Sequence, residues 1–155
     1  MTARIRLRDS GGTLRTITRI RMRDSGGTLR TISRVRMRDS GGTLRTVFQA
    51  FAAVLPALVT GSSGTTPSED ITTSSALVAL SGGTAAYTYA WTLVESDGVI
   101  VWTISTATAA STSFVANDVP GSYVAEATFM ITVTDANGLV ATATVLARAT
   151  NTNTS

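Results

Sequence analysis

The chain of 155 residues opens on a strict alternation of charged and aliphatic positions. Arg4-Ile5-Arg6-Leu7-Arg8 places an arginine at every second position, and Arg19–Arg23 and Arg34–Arg38 repeat the pattern. A period of two is the mark of a strand. Each stretch runs on through Asp-Ser-Gly-Gly-Thr-Leu-Arg-Thr into β-branched residues. The copies span Arg4–Thr18, Arg19–Ser33 and Arg34–Phe48, a period of 15 residues. Self-similarity at a fixed period means one supersecondary unit used three times. The breaker within each copy is Ser-Gly-Gly, with the glycine pairs Gly11-Gly12, Gly26-Gly27 and Gly41-Gly42. A three-residue connection with glycine where φ must be positive makes a hairpin. The pattern therefore predicts strands Thr13–Asp24 and Thr28–Asp39, joined by Ser25-Gly26-Gly27.

Charge selects the register. With Asp24 opposite Thr28, Ile20 stands opposite Ile32, Ile17 opposite Val35, and every arginine opposite a non-arginine residue. A slip of one position brings Arg21 against Arg30, or Arg23 against Arg30, and like charges directly opposed are unfavourable. The odd period has a cost. Leu14, Ile20 and Met22 share one face of their strand, but their neighbours on that face include Arg30, Arg34 and Arg36. Neither face is cleanly apolar, so a meander of this length needs other chains to supply its core. The expectation is a homo-oligomer, with a trimer favoured, in which Arg6, Arg8, Arg21, Arg23, Arg36, Arg38, Ile5, Ile20, Val35, Phe48 and Phe51 meet the partner.

Past the repeats, Val47, Phe51, Val54 and Leu58 approximate helical spacing, which predicts a short helix ended by Pro56. Thr60–Ser68, rich in glycine, serine and threonine, reads as a flexible linker. From Ile71 onward, short apolar runs alternate with turn signals. Ala76–Leu80 ends at Ser81-Gly82-Gly83. Tyr87–Val94 puts Tyr87, Tyr89, Trp91 and Leu93 on one face. Val99–Ile104 follows, then Ser111–Ala116, ending at Asn117-Asp118. Tyr123–Thr134 directs Ala127, Phe129, Ile131 and Val133 inward, and Asp135–Gly138 forms a hairpin loop before Leu139–Ala147. About seven such strands predict a β-sandwich. Its core residues include Tyr89, Trp91, Phe129, Ile131 and Val133, while Trp102 suits either the core or an exposed contact. The fold class is all-β, divided as repeats over 1–46, an apolar connector and linker over 47–69, a sandwich over 70–150 and a tail over 151–155.

Composition sharpens this division. Residues 1–46 carry twelve arginines and three aspartates, net +9, whereas residues 47–155 carry Arg148 and seven acids, net −6. Two modules of opposite charge point to different partners. No cysteine and no histidine is present, which removes thiolate metal sites, disulfides, the cysteine nucleophile and the commonest general base. No catalytic, cofactor-binding or metal-ligating constellation emerges from the remaining carboxylates. Ser-Gly-Gly lacks the spacing and following helix of a phosphate loop. No secretory leader is evident after Met1, and Val47–Val59 is too short to span a bilayer, so neither a membrane nor a cofactor is expected.

Two resemblances follow from these residues. "YTYAWTL" and "GSYVAEATFMITVTDANGLVATATV" resemble strands of immunoglobulin-like domains of the PKD type over roughly residues 70–148. The Gly-Asp-Gly of many such domains is replaced here by "VESDGVIVWTIS". The arginine repeats over residues 4–47, followed by an immunoglobulin-like domain, resemble virion proteins of tailed bacteriophages, in tail, fibre, collar or decoration positions. That resemblance implies a non-enzymatic structural protein assembled in the host cytoplasm. Its repeats would anchor it to itself and to other virion proteins, and its sandwich would project toward host-surface glycans. Nucleic-acid binding by the arginines is the alternative, but the accompanying aspartates and the lack of interleaved aromatics weigh against it.

Overall fold

A computed structural model describes residues 20–23, 29–32, 34–38 and 41–154. The chain divides into two units, Met1–Ala50 and Phe51–Ser155. The described residues are all-β and contain no helix.

In the first unit, β1 (Ile20–Arg23) pairs antiparallel with β2 (Leu29–Ile32), and β3 (Arg34–Arg38) with β4 (Leu44–Gln49). Ile20 pairs with Ile32, Arg21 with Thr31, Met22 with Arg30 and Arg23 with Leu29. No arginine lies opposite another in this ladder, which is the register that the charge pattern selects. The second hairpin continues Arg38 opposite Leu44 and Arg36 opposite Thr46, then shifts register, so that Val35 pairs with Phe48 and Arg34 with Gln49. Gly42, at φ 83°, makes the turn that an L side chain resists. The strand expected over Thr28–Asp39 is divided: Leu29–Ile32 joins one two-stranded sheet and Arg34–Arg38 another. Ile17 of the expected Ile17–Val35 pair, with Ile5, Arg6, Arg8, Gly11, Gly12, Gly26 and Gly27, lies outside the described residues.

The second unit is a sandwich built, in chain order, from β5 (Ala52–Val54), β6 (Leu58–Ser63), β7 (Ser68–Thr72), β8 (Ala76–Leu77), β9 (Ala79–Ser81), β10 (Thr88–Ser96), β11 (Trp102–Ile104), β12 (Ser111–Thr112), β13 (Phe114–Pro120), β14 (Tyr123–Thr134) and β15 (Val140–Asn151). One sheet has the order β10-β14-β15-β6 and the other β11-β13-β7, seven strands between them. Two short ladders, β5-β9 and β8-β12, flank them. The longest strand explains the plan. In β14, Ala125, Ala127, Phe129, Ile131 and Val133 are buried, and every residue between them is half-buried. That alternation, rich in β-branched residues, fits a pleated surface with one covered face.

The core lies between the sheets and is organised by four rings. Phe114 and Phe129 are fully buried and stack at a centroid distance of 3.8 Å. Trp91 meets Phe114 edge-on at 5.6 Å, and Trp102 meets Phe129 edge-on at 5.9 Å. The series crosses from β10 to β13 and from β14 to β11, so it joins the two sheets directly. Offset and edge-on ring pairs add stabilisation beyond the apolar area that they bury. Trp102 is thereby a core residue. Trp91 and Ile131, which pair across β10 and β14, and Val133 complete the expected core, with Tyr89 half-buried against it.

Several sequence-based expectations are corrected. No helix forms over Val47–Leu58. Phe51, Ala53 and Leu55 pack against the core with a period of two, and the stretch is too short for a helix to hold without a helical partner. Thr60–Ser68 is no linker. β6 occupies its first part, pairing parallel with β15 from Leu58 opposite Leu146 to Ser63 opposite Asn151. Gly61 permits this, since a Cβ there would strike the Thr72 carbonyl of β7. The boundary between units therefore falls after Ala50 rather than within Thr60–Ser68. Ala76–Leu80 is split at buried Val78, whose N–H donates to the Ala110 carbonyl, because β8 and β9 have different partners. Asn117-Asp118 does not end a strand. β13 continues to Pro120 through a register shift in which Asp118 takes φ 52°, a conformation that aspartate tolerates. Residues 151–153 are not a loose tail. Asn151 is buried and its amide donates to the carbonyls of Val119 and Thr66, while Thr152 N–H donates to Ser63.

Candidate interaction surfaces

The two units offer surfaces of opposite character. In the first, Arg34 and Arg36 are exposed, with Val35 half-buried between them. Strand geometry puts the two arginines on one face, about 6.6 Å apart along the strand. The backbone register places Arg21, Arg23 and Arg38 on the same kind of ladder. Among the described residues each hairpin is a two-stranded sheet, a unit that is marginal alone in water.

Phe51 departs from its expected role as an assembly contact. It is half-buried and stacks on Tyr87 at 5.8 Å, packed against the sandwich core. Phe48 is placed by its backbone pairing with Val35.

In the sandwich, acidic side chains fall into two groups. Asp135 is buried and serves the fold. Its carboxylate accepts the N–H groups of Asn137 and Leu139 within the hairpin loop and that of Thr84 from the loop opposite. Desolvation pushes its pKa up, but the N–H groups of Leu139, Thr84 and Asn137 outweigh it and hold the carboxyl below the usual aspartate range. Glu69 likewise accepts the hydroxyls of Ser63 and Thr65, both at 2.7 Å. These hydroxyls, that of Thr65 foremost, lower its pKa.

Glu95, Asp97 and Glu126 form the second group, around a cleft of about 320 Å³ that is also lined by Ser96, Thr128 and Leu146. Asp97 shapes the loop. One oxygen accepts the N–H groups of Val99 and Ile100, each at 3.1 Å, and the other accepts the Tyr123 hydroxyl at 3.3 Å. Partial desolvation raises the Asp97 pKa, and the hydrogen bonds from Ile100, Val99 and Tyr123 overcome it, leaving it lowered. Desolvation and the adjacent Asp97 carboxylate push the Tyr123 hydroxyl up. Arg148 pairs with Glu126 at 2.6 Å, with both side chains nearly half exposed. Glu95 is exposed.

Aliphatic side chains on the same strands and on the loop after β10 stand in the open. Leu93, Val94, Val99, Val101 and Val124 are between 45% and 69% exposed. The sequence expected Leu93 to continue the buried face of β10. Leu93 keeps its pairing with Phe129, but it lies on an edge strand just before a bulge between Leu93 and Glu95 and remains 45% exposed. Charge and apolar exposure therefore coincide in "LVESDGVIV", the stretch where the PKD-like pattern breaks off. The sequence carried this signal as an unexplained departure, without the bulge that makes it a surface. Among the described residues no group of three His, Cys, Asp or Glu side chains is placed to hold a metal. No protein-family model matches the chain, and no curated protein matches it.

Proposed function

We propose that this chain is a non-enzymatic structural component of a tailed-phage particle, with the repeats as its assembly device and the immunoglobulin-like sandwich as a projecting module. The observation that carries the reading is the division of labour along the chain. The sandwich owns a complete ring-centred core. Among the described residues the arginine hairpins are two-stranded sheets, with exposed Arg34 and Arg36 beside half-buried Val35. A self-sufficient domain joined to an incomplete one suits a protein that becomes whole on assembly. Its partners on this reading are further copies of itself, a trimer being favoured, and neighbouring virion proteins. The sheet order β10-β14-β15-β6 against β11-β13-β7 supports an immunoglobulin-like sandwich of the kind that the PKD resemblance implies. Adhesion to host-surface glycans is the role proposed for that module.

The test is the mass in solution of the full chain against residues 51–155. An oligomeric full chain and a monomeric sandwich support assembly through the repeats. A monomeric full chain, or a sandwich that oligomerises equally well, refutes it. A salt-dependent gel shift with duplex DNA at low ionic strength would instead point to nucleic-acid binding.

A further inference from the structure

We propose that the apolar and acidic patch formed by Leu93–Val101 and Tyr123–Glu126 receives an arginine hairpin from a second copy of this chain, so that copies join head to tail. The inference rests on the assembly reading above and names the surface that the repeats meet. Three independent features of the molecule converge on it.

The first is apolar exposure. Val99 and Val101 are 67% and 69% exposed, flanking buried Ile100, and Leu93, Val94 and Val124 are exposed nearby. Single exposed aliphatics need no explanation, but several gathered on one loop and the adjoining strand ends mark a contact surface. The second is charge. Glu95, Asp97 and Glu126 line one cleft next to these segments, and among the described residues Glu126 alone of the three has an arginine partner, Arg148. The strand that would meet them alternates arginine with aliphatic residues, Arg34-Val35-Arg36-Met37-Arg38, and the two earlier copies repeat it. The acceptor thus offers carboxylates to the donor's guanidinium groups and exposed aliphatics to the donor's aliphatic positions. Arginine forks suit carboxylates in such a contact, and the aliphatic pairs supply the desolvated centre.

The third is direction. The chain enters the sandwich at Phe51, which stacks on Tyr87 at the start of β10. The patch begins at Leu93 and extends beyond the far end of the same strand. Donor attachment and acceptor therefore sit at opposite ends of the sandwich. A contact between two different surfaces is heterologous, and it propagates from copy to copy unless the rotation closes it into a ring. A ring of three is the trimeric form of this contact.

The experiment uses the full chain and measures mass by sedimentation at low and high salt. Its patch variant is Glu95→Arg with Val99→Ser, two exposed positions, and its control is Thr142→Arg, exposed on β15 outside the patch. A donor variant reverses the equivalent arginines, Arg6→Glu, Arg21→Glu and Arg36→Glu. Thermal unfolding checks that each variant folds. The proposal expects the patch and donor variants each to weaken association by roughly tenfold or more, the control to leave it unchanged, and a mixture of patch and donor variants to recover it. An oligomer whose mass ignores the patch substitutions overturns this inference and leaves assembly through the repeats standing. A monomeric wild-type chain overturns both.

Discussion

Replacing Phe129 by alanine tests whether the ring series is what joins the two sheets. Phe129 is fully buried in the middle of β14, stacked on Phe114 and met edge-on by Trp102. Truncating a buried phenylalanine to alanine costs about 3–5 kcal/mol, because the transfer free energy is lost and a cavity remains. Two ring contacts vanish with the side chain, each worth roughly 0.5–1.5 kcal/mol beyond buried area, so the upper half of the range is expected, about 4–5 kcal/mol. The sandwich unit, Phe51–Ser155, is of ordinary domain size. At that size each kcal/mol lowers Tm by roughly 4–6 °C, so the loss is on the order of 15–25 °C. The assay is urea and thermal unfolding followed by tryptophan fluorescence, since Trp91 and Trp102 each contact one ring of the stacked pair. Thr128→Ala, one residue away on the outward face, should change stability by no more than about 0.5 kcal/mol. A Phe129→Ala loss below roughly 1.5 kcal/mol, or a Thr128→Ala loss of comparable size, would refute the inward assignment of Phe129 and the inter-sheet role of the rings.

Three further outcomes follow. Gly61→Ala should destabilise the sandwich by about 1–3 kcal/mol in chemical denaturation, because the added Cβ meets the backbone carbonyl of Thr72, which cannot yield cheaply; an unchanged denaturation midpoint would count against the β6–β7 approach. Trp91→Phe should cost about 1 kcal/mol more than Trp102→Phe, since the Trp91 indole donates to the Ala109 carbonyl at 2.9 Å whereas the buried Trp102 indole N–H has no acceptor among the described residues; equal losses would contradict this. Asp135, whose pKa is lowered, stabilises the fold in its ionised form. That contribution is full above the ordinary aspartate pKa and disappears as pH falls through the lowered folded value. The Tm difference between wild type and Asp135→Asn should therefore shrink on acidification, and a difference independent of pH would show that the carboxylate charge is not what holds the loop.

Much of the fold was legible in the chain. Ala127, Phe129, Ile131 and Val133 recur at every second position within Tyr123–Thr134, and the strand has those limits. The hairpin register of Ile20 opposite Ile32 followed from keeping arginines apart. The stretch from Val47 to Ser68 was misread for a physical reason. Its apolar residues are dense enough over Val47–Val59 to satisfy a helical or a two-residue period, and Gly, Ser and Thr are common to linkers and to strands in close approach. What settles the matter is pairing with β15 and β9, residues far off in sequence. The patch was half legible. "VESDGVIV" stands out as a departure, but the edge position of β10 and the bulge after Leu93 are defined only by the partner strand β14.

The sequence by itself determined the class of fold, the division of charge and the repeat, because these depend on composition and on periods within a few residues. Which strands neighbour one another, where the domain begins and which aliphatics remain in water belong to the tertiary structure. Those outcomes arise from contacts such as Gly61 with Thr72, Asn151 with Val119 and Phe114 with Phe129, between segments that local pattern cannot match. Burial is a property of the pair of surfaces that meet, and a single stretch of chain carries only one of them.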